Sequence, residues 1–243
     1  MKAEQDAYGM EIWAFYKGKK DIVEIIERSE GYIDVSGGPE TYFADYKDWP
    51  ELDRKAMKFV KGRVLDVGCG AGRCSLWLQR KGFKVTGIDN SPLAIKVCRL
   101  RGLKDARVLP IEKVNFRPGS YDTIIMMGNN FGLFSNFKKA KTLLKKFYRM
   151  TGKDAKIVAE SNDPYKTDNP AHKAYQSWNR RHGRMSGQLK IRIRFMDYRG
   201  NWFDYLLVSQ KEMKKILQGT GWKAKKFIGK KGRSNYIAII EKM

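Results

Sequence analysis

Three observations predict an α/β fold built on a mostly parallel, doubly wound sheet. An apolar run, Val64-Leu65-Asp66-Val67, ends in a glycine-dense turn, Gly68-Cys69-Gly70-Ala71-Gly72. A second run, Phe83-Lys84-Val85-Thr86-Gly87-Ile88-Asp89, repeats the pattern of a strand closing on an acid. Strand-like and helix-like segments then alternate to about residue 160, the signature of βαβ units.

The elements before this core are less regular. Residues 19–30 predict an amphipathic helix, with Ile22, Val23, Ile25 and Ile26 apolar. The Gly31–Pro39 stretch breaks it. An aromatic cluster follows (Tyr42, Phe43, Tyr46, Trp49), and Pro50 opens a helix over 51–60. Residues 1–60 therefore read as an N-terminal helical cap. Its aromatics either shape a pocket or simply pack the cap onto the core.

The core reads as strand 63–67, helix 72–81, strand 84–88 and helix 92–101. Ser91 is placed to cap that second helix, and Pro92 suits its first position. A third strand covers 106–110. The fourth begins at Tyr121 and leaves through Met127-Gly128-Asn129-Asn130-Phe131. Helix 137–150 and a fifth strand, 155–160, follow. Leu189, Ile191, Ile193 and Phe195 alternate with Lys190, Arg192 and Arg194, which is strand period. A turn at 198–201 returns the chain through 202–208, giving a hairpin. A helix over 209–218 and two strands, 222–228 and 235–241, end the chain.

The glycine turn points to a nucleotide-like ligand held at a helix N-terminus. The dinucleotide fingerprint fits poorly, because Arg73 stands where its third glycine belongs, and no Gly-Lys-Ser/Thr phosphate loop is present. A carboxylate at a strand end is unwelcoming to a pyrophosphate and suits a cationic ligand. Asp89 has the spacing of an acid that holds a ribose diol.

With D-V-G-C-G-A-G followed by V-T-G-I-D-N-S, the chain resembles the class I S-adenosylmethionine-dependent methyltransferases over about 60–160 and 209–243. The resemblance implies a seven-stranded Rossmann-like sheet with an antiparallel end. It makes 61–243 the methyltransferase domain, with 161–208 an inserted acceptor-side segment carrying the hairpin. It implies S-adenosyl-L-methionine as cofactor and S-adenosyl-L-homocysteine as product. In the family the first acid is linked to the methionyl ammonium and the second grips the ribose hydroxyls, here Asp66 and Asp89. Gly68, Cys69, Gly70, Gly72, Asn90, Met127 and Gly128 complete the expected cofactor set. The family's adenine-binding acid after the third strand aligns with Pro110, a departure that shifts this contact to Ile111 and Glu112. Asn129, Asn130, Phe131, Tyr42, Tyr46, Arg192 and Arg194 are the acceptor-side candidates.

No catalytic base is identifiable. His172 and His182 lie in a polar stretch without an acid at useful spacing. Asn162-Asp163-Pro164-Tyr165 imitates an amine-orienting loop but stands one strand too late, and reads as an Asp-Pro turn. Cys69, Cys74 and Cys98 form no zinc pattern, so no metal is expected, and three cysteines fit a reducing cytoplasm. No apolar run approaches the roughly 18 residues of a membrane span, and the first residues lack a signal peptide's apolar centre.

The formal net charge of +23 is uneven: 9 basic against 13 acidic residues over 1–60, and 27 against 8 over 136–243. A basic C-terminal half suits nucleic acid or a solvated surface. The expected function is methyl transfer to a small-molecule acceptor, with an RNA (tRNA or rRNA) acceptor as the alternative and a non-catalytic cofactor-binding module as a third reading. Oligomeric state is not legible.

Overall fold

The computed structural model describes residues 5–243. The chain runs α1 (Ala7–Tyr16), β1 (Glu24–Arg28), β2 (Ile33–Ser36), α2 (Glu40–Phe43), α3 (Glu51–Met57), β3 (Arg63–Val67), α4 (Arg73–Arg80), β4 (Lys84–Asp89), α5 (Pro92–Leu100) and β5 (Ala106–Val108). It continues through β6 (Tyr121–Met126), α6 (Phe137–Met150), β7 (Thr151–Asn162), α7 (Pro170–Arg181), β8 (Gln188–Phe195), β9 (Tyr198–Arg199), β10 (Phe203–Leu206), α8 (Gln210–Leu217), β11 (Trp222–Gly229) and β12 (Asn235–Lys242).

The predicted seven-stranded sheet is present, in the order β11-β12-β7-β6-β3-β4-β5. Five strands are parallel, and β12 joins β7 antiparallel, as β11 joins β12. The strand order reverses at β3, which has β4 on one side and β6 on the other. Ligands bind outside the carboxyl ends of strands at such a switch point, and both the glycine turn and the Met127–Phe131 loop leave the sheet there.

The strands are apolar because both faces are covered. Leu65, Ile124, Met126 and Ile157 pack with Phe131, Phe134 and Phe147 beneath α6 and α8. On the other face Val64, Ile125, Val158 and Ile239 meet Trp49, Met57 and Leu78. The fifth strand starts earlier than its apolar pattern and the third is shorter, since β5 is an edge strand holding only three residues.

The largest departure lies at the N-terminus. Residues 24–28 form a strand rather than the expected helix, and the helix lies earlier, at Ala7–Tyr16. Short β-branched runs fit either element, and here two neighbours decide: β1 pairs antiparallel with β2 and with β8. The expected hairpin is present as β8 and β10 but reverses at Met196-Asp197, with β9 folding back on β8. The cap and the insertion are therefore one unit, an antiparallel sheet ordered β10-β8-β1-β2. Helix α1 contacts both β8 and α5, linking this lid to the core.

Candidate active site

The glycine turn is built for close approach. Gly68, Gly70 and Gly72 have φ of +72°, +54° and +84°, the left-handed region that side chains rarely adopt. A Cβ on Gly68 would fall 2.4 Å from the Asn130 amide nitrogen, and one on Gly70 would fall 2.6 Å from the Tyr8 hydroxyl. The Asn130 amide donates to the carbonyls of Val67 (3.1 Å) and Gly68 (2.8 Å), pinning the turn to the β6 exit loop. Cys69 and Cys98 lie below, with sulfurs 3.9 Å apart, and the Cys98 thiol donates to the Gly70 carbonyl. Arg73 points away from the turn, pairing with Asp53 at 2.6 Å under the Trp49 ring.

Both strand-end acids are buried. Asp66 accepts from the Ser75 hydroxyl on α4 (2.7 Å), and Asp89 accepts from the backbone N–H groups of Gly70 (3.0 Å) and Ser91 (2.9 Å). Burial pushes both carboxyls up to about 6, against the pull of these donors. Ser91 then links Asp89 to the lid: its hydroxyl donates to Asp6 (2.9 Å), which also accepts from the Leu93 N–H and caps α1 through Gly9.

The other expected cofactor residues follow the ends of β4, β5 and β6. Asn90 is exposed, Ile111 is buried and Glu112 is exposed, its carbonyl accepting from Lys146. Met127 is buried, and Gly128 turns the exit loop with φ of +68°. These residues fit S-adenosylmethionine: a cradle that a Cβ would fill lies between two buried acids whose burial disfavours their charge, which a cationic ligand would offset.

The acceptor-side candidates separate. Tyr42 donates to Glu24 (3.1 Å) and meets Tyr8 edge to face, on the side of the glycine turn. Asn129, at φ +65°, is held by Tyr205, whose hydroxyl donates to its carbonyl (2.6 Å). Phe131 belongs to the core instead: it is fully buried against Phe134, because the exit loop folds back as a 3-10 turn over β7. Tyr46 stacks on Trp77 of α4 at 4.4 Å and packs the extension onto the core. Arg192 and Arg194 lie on the outer face of the lid sheet, both paired with Glu27, with Arg192 also over Trp202. The register explains this. Glu27 faces Arg192 across the ladder, while the opposite face carries Glu24, Ile26, Ile191 and Ile193.

Sequence reasoning missed four groups. Tyr8 and Glu11 are on α1, and Tyr205 is on β10. Glu160 closes β7, its carboxylate accepting from the Gly128 (2.8 Å) and Asn129 (3.2 Å) N–H groups. Burial, then the nearby Asp53 charge, pushes Glu160 up to about 7. Its signal was available, since Ile157-Val158-Ala159-Glu160 is a third apolar strand ending in an acid.

A family profile described as a methyltransferase domain matches residues 64–154. Ubiquinone biosynthesis O-methyltransferases from Xanthomonas euvesicatoria pv. vesicatoria and Xylella fastidiosa are 42% identical over 77 residues and 46% over 79. These matches cover 29% and 30% of this chain, so it spans about a third of the length of the curated relatives it matches, 32% in both cases. A solved S-adenosylmethionine-dependent methyltransferase from Bacteroides fragilis, in complex with S-adenosyl-L-homocysteine, is similar throughout. It is 28% identical with a TM-score of 0.83, covering 99% of this chain and 96% of that one. A Methanosarcina mazei structure at 18% identity and a TM-score of 0.62 shares the fold over 81% of this chain and 99% of its own. The glycine cradle between two strand-end acids, the sheet order and these likenesses agree: the chain carries a methyltransferase domain and resembles the class I S-adenosylmethionine-dependent methyltransferases along its length.

Proposed function

We propose that this chain methylates a small-molecule acceptor enclosed between the glycine turn and the lid. The observation that carries the reading is the lid itself. Its helix α1 brings Tyr8 onto Gly70, and its strand β10 brings Tyr205 onto the exit loop, so the methyl-transfer side is roofed on two sides. A roof of this kind encloses a small molecule better than it tracks a polymer backbone. The curated relatives named for ubiquinone biosynthesis favour the same class.

When bound, S-adenosylmethionine supplies a methyl carbon made electrophilic by its sulfonium. The chain's own residues do the rest. Asp89 would hold the ribose hydroxyls, and the backbone of Gly68–Gly70 and the Asp66 carboxyl would line the cradle that receives the ligand. The lid excludes water and aligns the acceptor. Glu160 takes the acceptor's proton, its carboxyl poised near neutrality beside the exit loop. Glu160→Gln should flatten the acidic limb of the kcat profile near pH 7; an unchanged limb removes Glu160 from this role. A cytoplasmic setting is part of the proposal, in keeping with three free, buried cysteines. Among the described residues no helix is long and apolar enough to cross a membrane.

The test is a labelled-methyl assay on cell extract, resolved into small metabolites, RNA and protein at low and physiological salt. Label concentrated in the metabolite fraction is expected. Label predominantly in RNA at physiological salt overturns the reading, whereas RNA binding that vanishes with salt and transfers no methyl does not.

A further inference from the structure

The inner face of the lid carries a feature that cofactor binding does not use. Glu11, on α1, is fully buried, and neither carboxylate oxygen has a hydrogen-bond partner. Glu24, on β1, is 4% exposed and stands beside it. Glu24 accepts from the Ser36 and Tyr42 hydroxyls, both hydroxyls of the lid. Among the described residues neither glutamate forms an ion pair. Isolated burial of two carboxyls is costly. Burial first, and then the charge and closeness of the Glu24 carboxyl, push the Glu11 carboxyl up to about 10, so Glu11 stays neutral at pH 7 unless a cation sits beside it.

The pair adjoins the reacting side rather than lying in a remote part of the lid. Tyr8 meets Tyr42 edge to face with ring centres 5.6 Å apart, and the Tyr42 hydroxyl donates to Glu24 (3.1 Å), so the pair reaches the Tyr8 ring through one side chain. Burial first, and then the charges of Tyr42, Asp89, Glu24 and Glu11, raise the Tyr8 phenol. The Tyr8 hydroxyl is the one over Gly70. On the far side, the Tyr205 hydroxyl donates to the Asn129 carbonyl of the exit loop (2.6 Å), and its phenol is raised by burial and then by the charges of Glu160 and Glu24. The exit loop contributes another unpaired acceptor, the buried Asn129 side-chain oxygen. Both Glu11 oxygens, one helical turn from Tyr8, and the Asn129 side-chain oxygen, on the residue whose carbonyl holds the Tyr205 hydroxyl, thus lack hydrogen-bond partners. A ligand group that offers several N–H donors and a positive charge satisfies all of these demands, and aromatic faces add cation–π attraction.

We propose that the acceptor carries a primary or secondary ammonium group, and that Glu11 and Glu24 receive it. This rests on the small-molecule reading above and names the acceptor's charge class. It also separates the inside of the site from the outside. The net +23 surface repels free cations at long range, so selection for the ammonium comes from this buried pair and not from steering.

The experiment follows thermal unfolding of the full chain saturated with S-adenosyl-L-homocysteine. The probes are primary amines from propylamine to tyramine, each beside the alcohol and the carboxylate of the same skeleton. Calorimetric binding of S-adenosyl-L-homocysteine is the control in every variant. At least one amine should raise Tm by about 5 °C at a concentration well above its Kd, with its alcohol and carboxylate counterparts inert. Glu11→Gln, which keeps the shape of the side chain, should bind S-adenosyl-L-homocysteine as wild type does and lose the amine shift. Alcohols as effective as amines, no amine that shifts Tm, or an amine shift that survives Glu11→Gln would each overturn the assignment. Loss of S-adenosyl-L-homocysteine binding by wild type would instead bring down the cofactor reading on which it rests.

Discussion

The glycine turn and the lid face each other across one site, and they are built in opposite ways. The turn is local. Asp66, the three glycines and Asp89 lie within 24 consecutive residues, and each is placed by the strand or turn it sits on. The lid is non-local. Its sheet joins β1 to β8 across the chain, so that Glu27 meets an arginine 165 residues away. The turn has the form of a cofactor cradle, whereas the lid is the part of the site on which the proposed acceptor would bear. The difference teaches that the cradle is written in contiguous sequence, and the lid in strand pairing.

The sharpest way to test that division is at Phe131, which sequence reading places on the acceptor side and the structure places in the core. Phe131→Ala should cost about 3–5 kcal/mol of global stability, the range for emptying a buried aromatic site, measured by urea denaturation. A variant of wild-type stability with a raised acceptor KM would return Phe131 to the pocket.

A smaller effect concerns the acids of the turn. Folded protein holds a proton on Asp89 up to about pH 6, while the unfolded chain releases it near 4. The folded state therefore binds more protons between these values, and ligand-free stability falls as pH rises through that window. The fall amounts to about 3 kcal/mol at most for this one acid, and its contribution is constant above pH 6. Asp89→Asn removes that contribution. The stability of the variant relative to wild type should grow from pH 4 to 6 and level off, and a difference that is flat across the window would show that Asp89 is not held protonated.

Asp89→Ala sharpens the comparison from the ligand's side. Cofactor affinity should drop by about 2–3 kcal/mol through loss of charge-assisted hydrogen bonds, read by titration calorimetry, with the fold retained. An unchanged Kd would detach the second strand-end acid from the cofactor.

The least effect is expected on the outer face of the lid. Arg192→Ala removes a partly exposed pair with Glu27 and should change stability by under about 1 kcal/mol, leaving the acceptor KM unaltered. A KM raised severalfold would place Arg192 inside the site.

How much of this was legible follows from the same contrast. The sheet, most of its helices and the two buried strand-end acids were readable because apolar runs ending in acids and glycines report their own geometry. Tyr8 and Glu11 were not, because Ala7–Tyr16 is apolar nearly all round and shows no single face to mark which residue turns inward. The strand at Glu24–Arg28 was misread as helix because five residues with Ile25 and Ile26 adjacent satisfy neither period, and only the neighbours β2 and β8 resolve it. Arg192 and Arg194 were assigned to one face correctly, but which face looks inward depends on the register with β1. Glu160 alone was overlooked despite a local signal.

The sheet that joins β1 to β8 also fixes an order of assembly. During synthesis β1 and β2 leave the ribosome well before β8, so β1 has only β2 for a partner until residue 195 has been made. Two strands alone are marginal in water, so β1 waits without its second partner while the central strands pair. Helix α1 can lean on α5 much earlier, since α5 ends at Leu100. Pulse-labelled hydrogen exchange during refolding should accordingly protect the amides of β3 and β4 before those of β1. The strand β1 is thus made long before the partner that completes its sheet, and it is among the last parts of the chain to become structure.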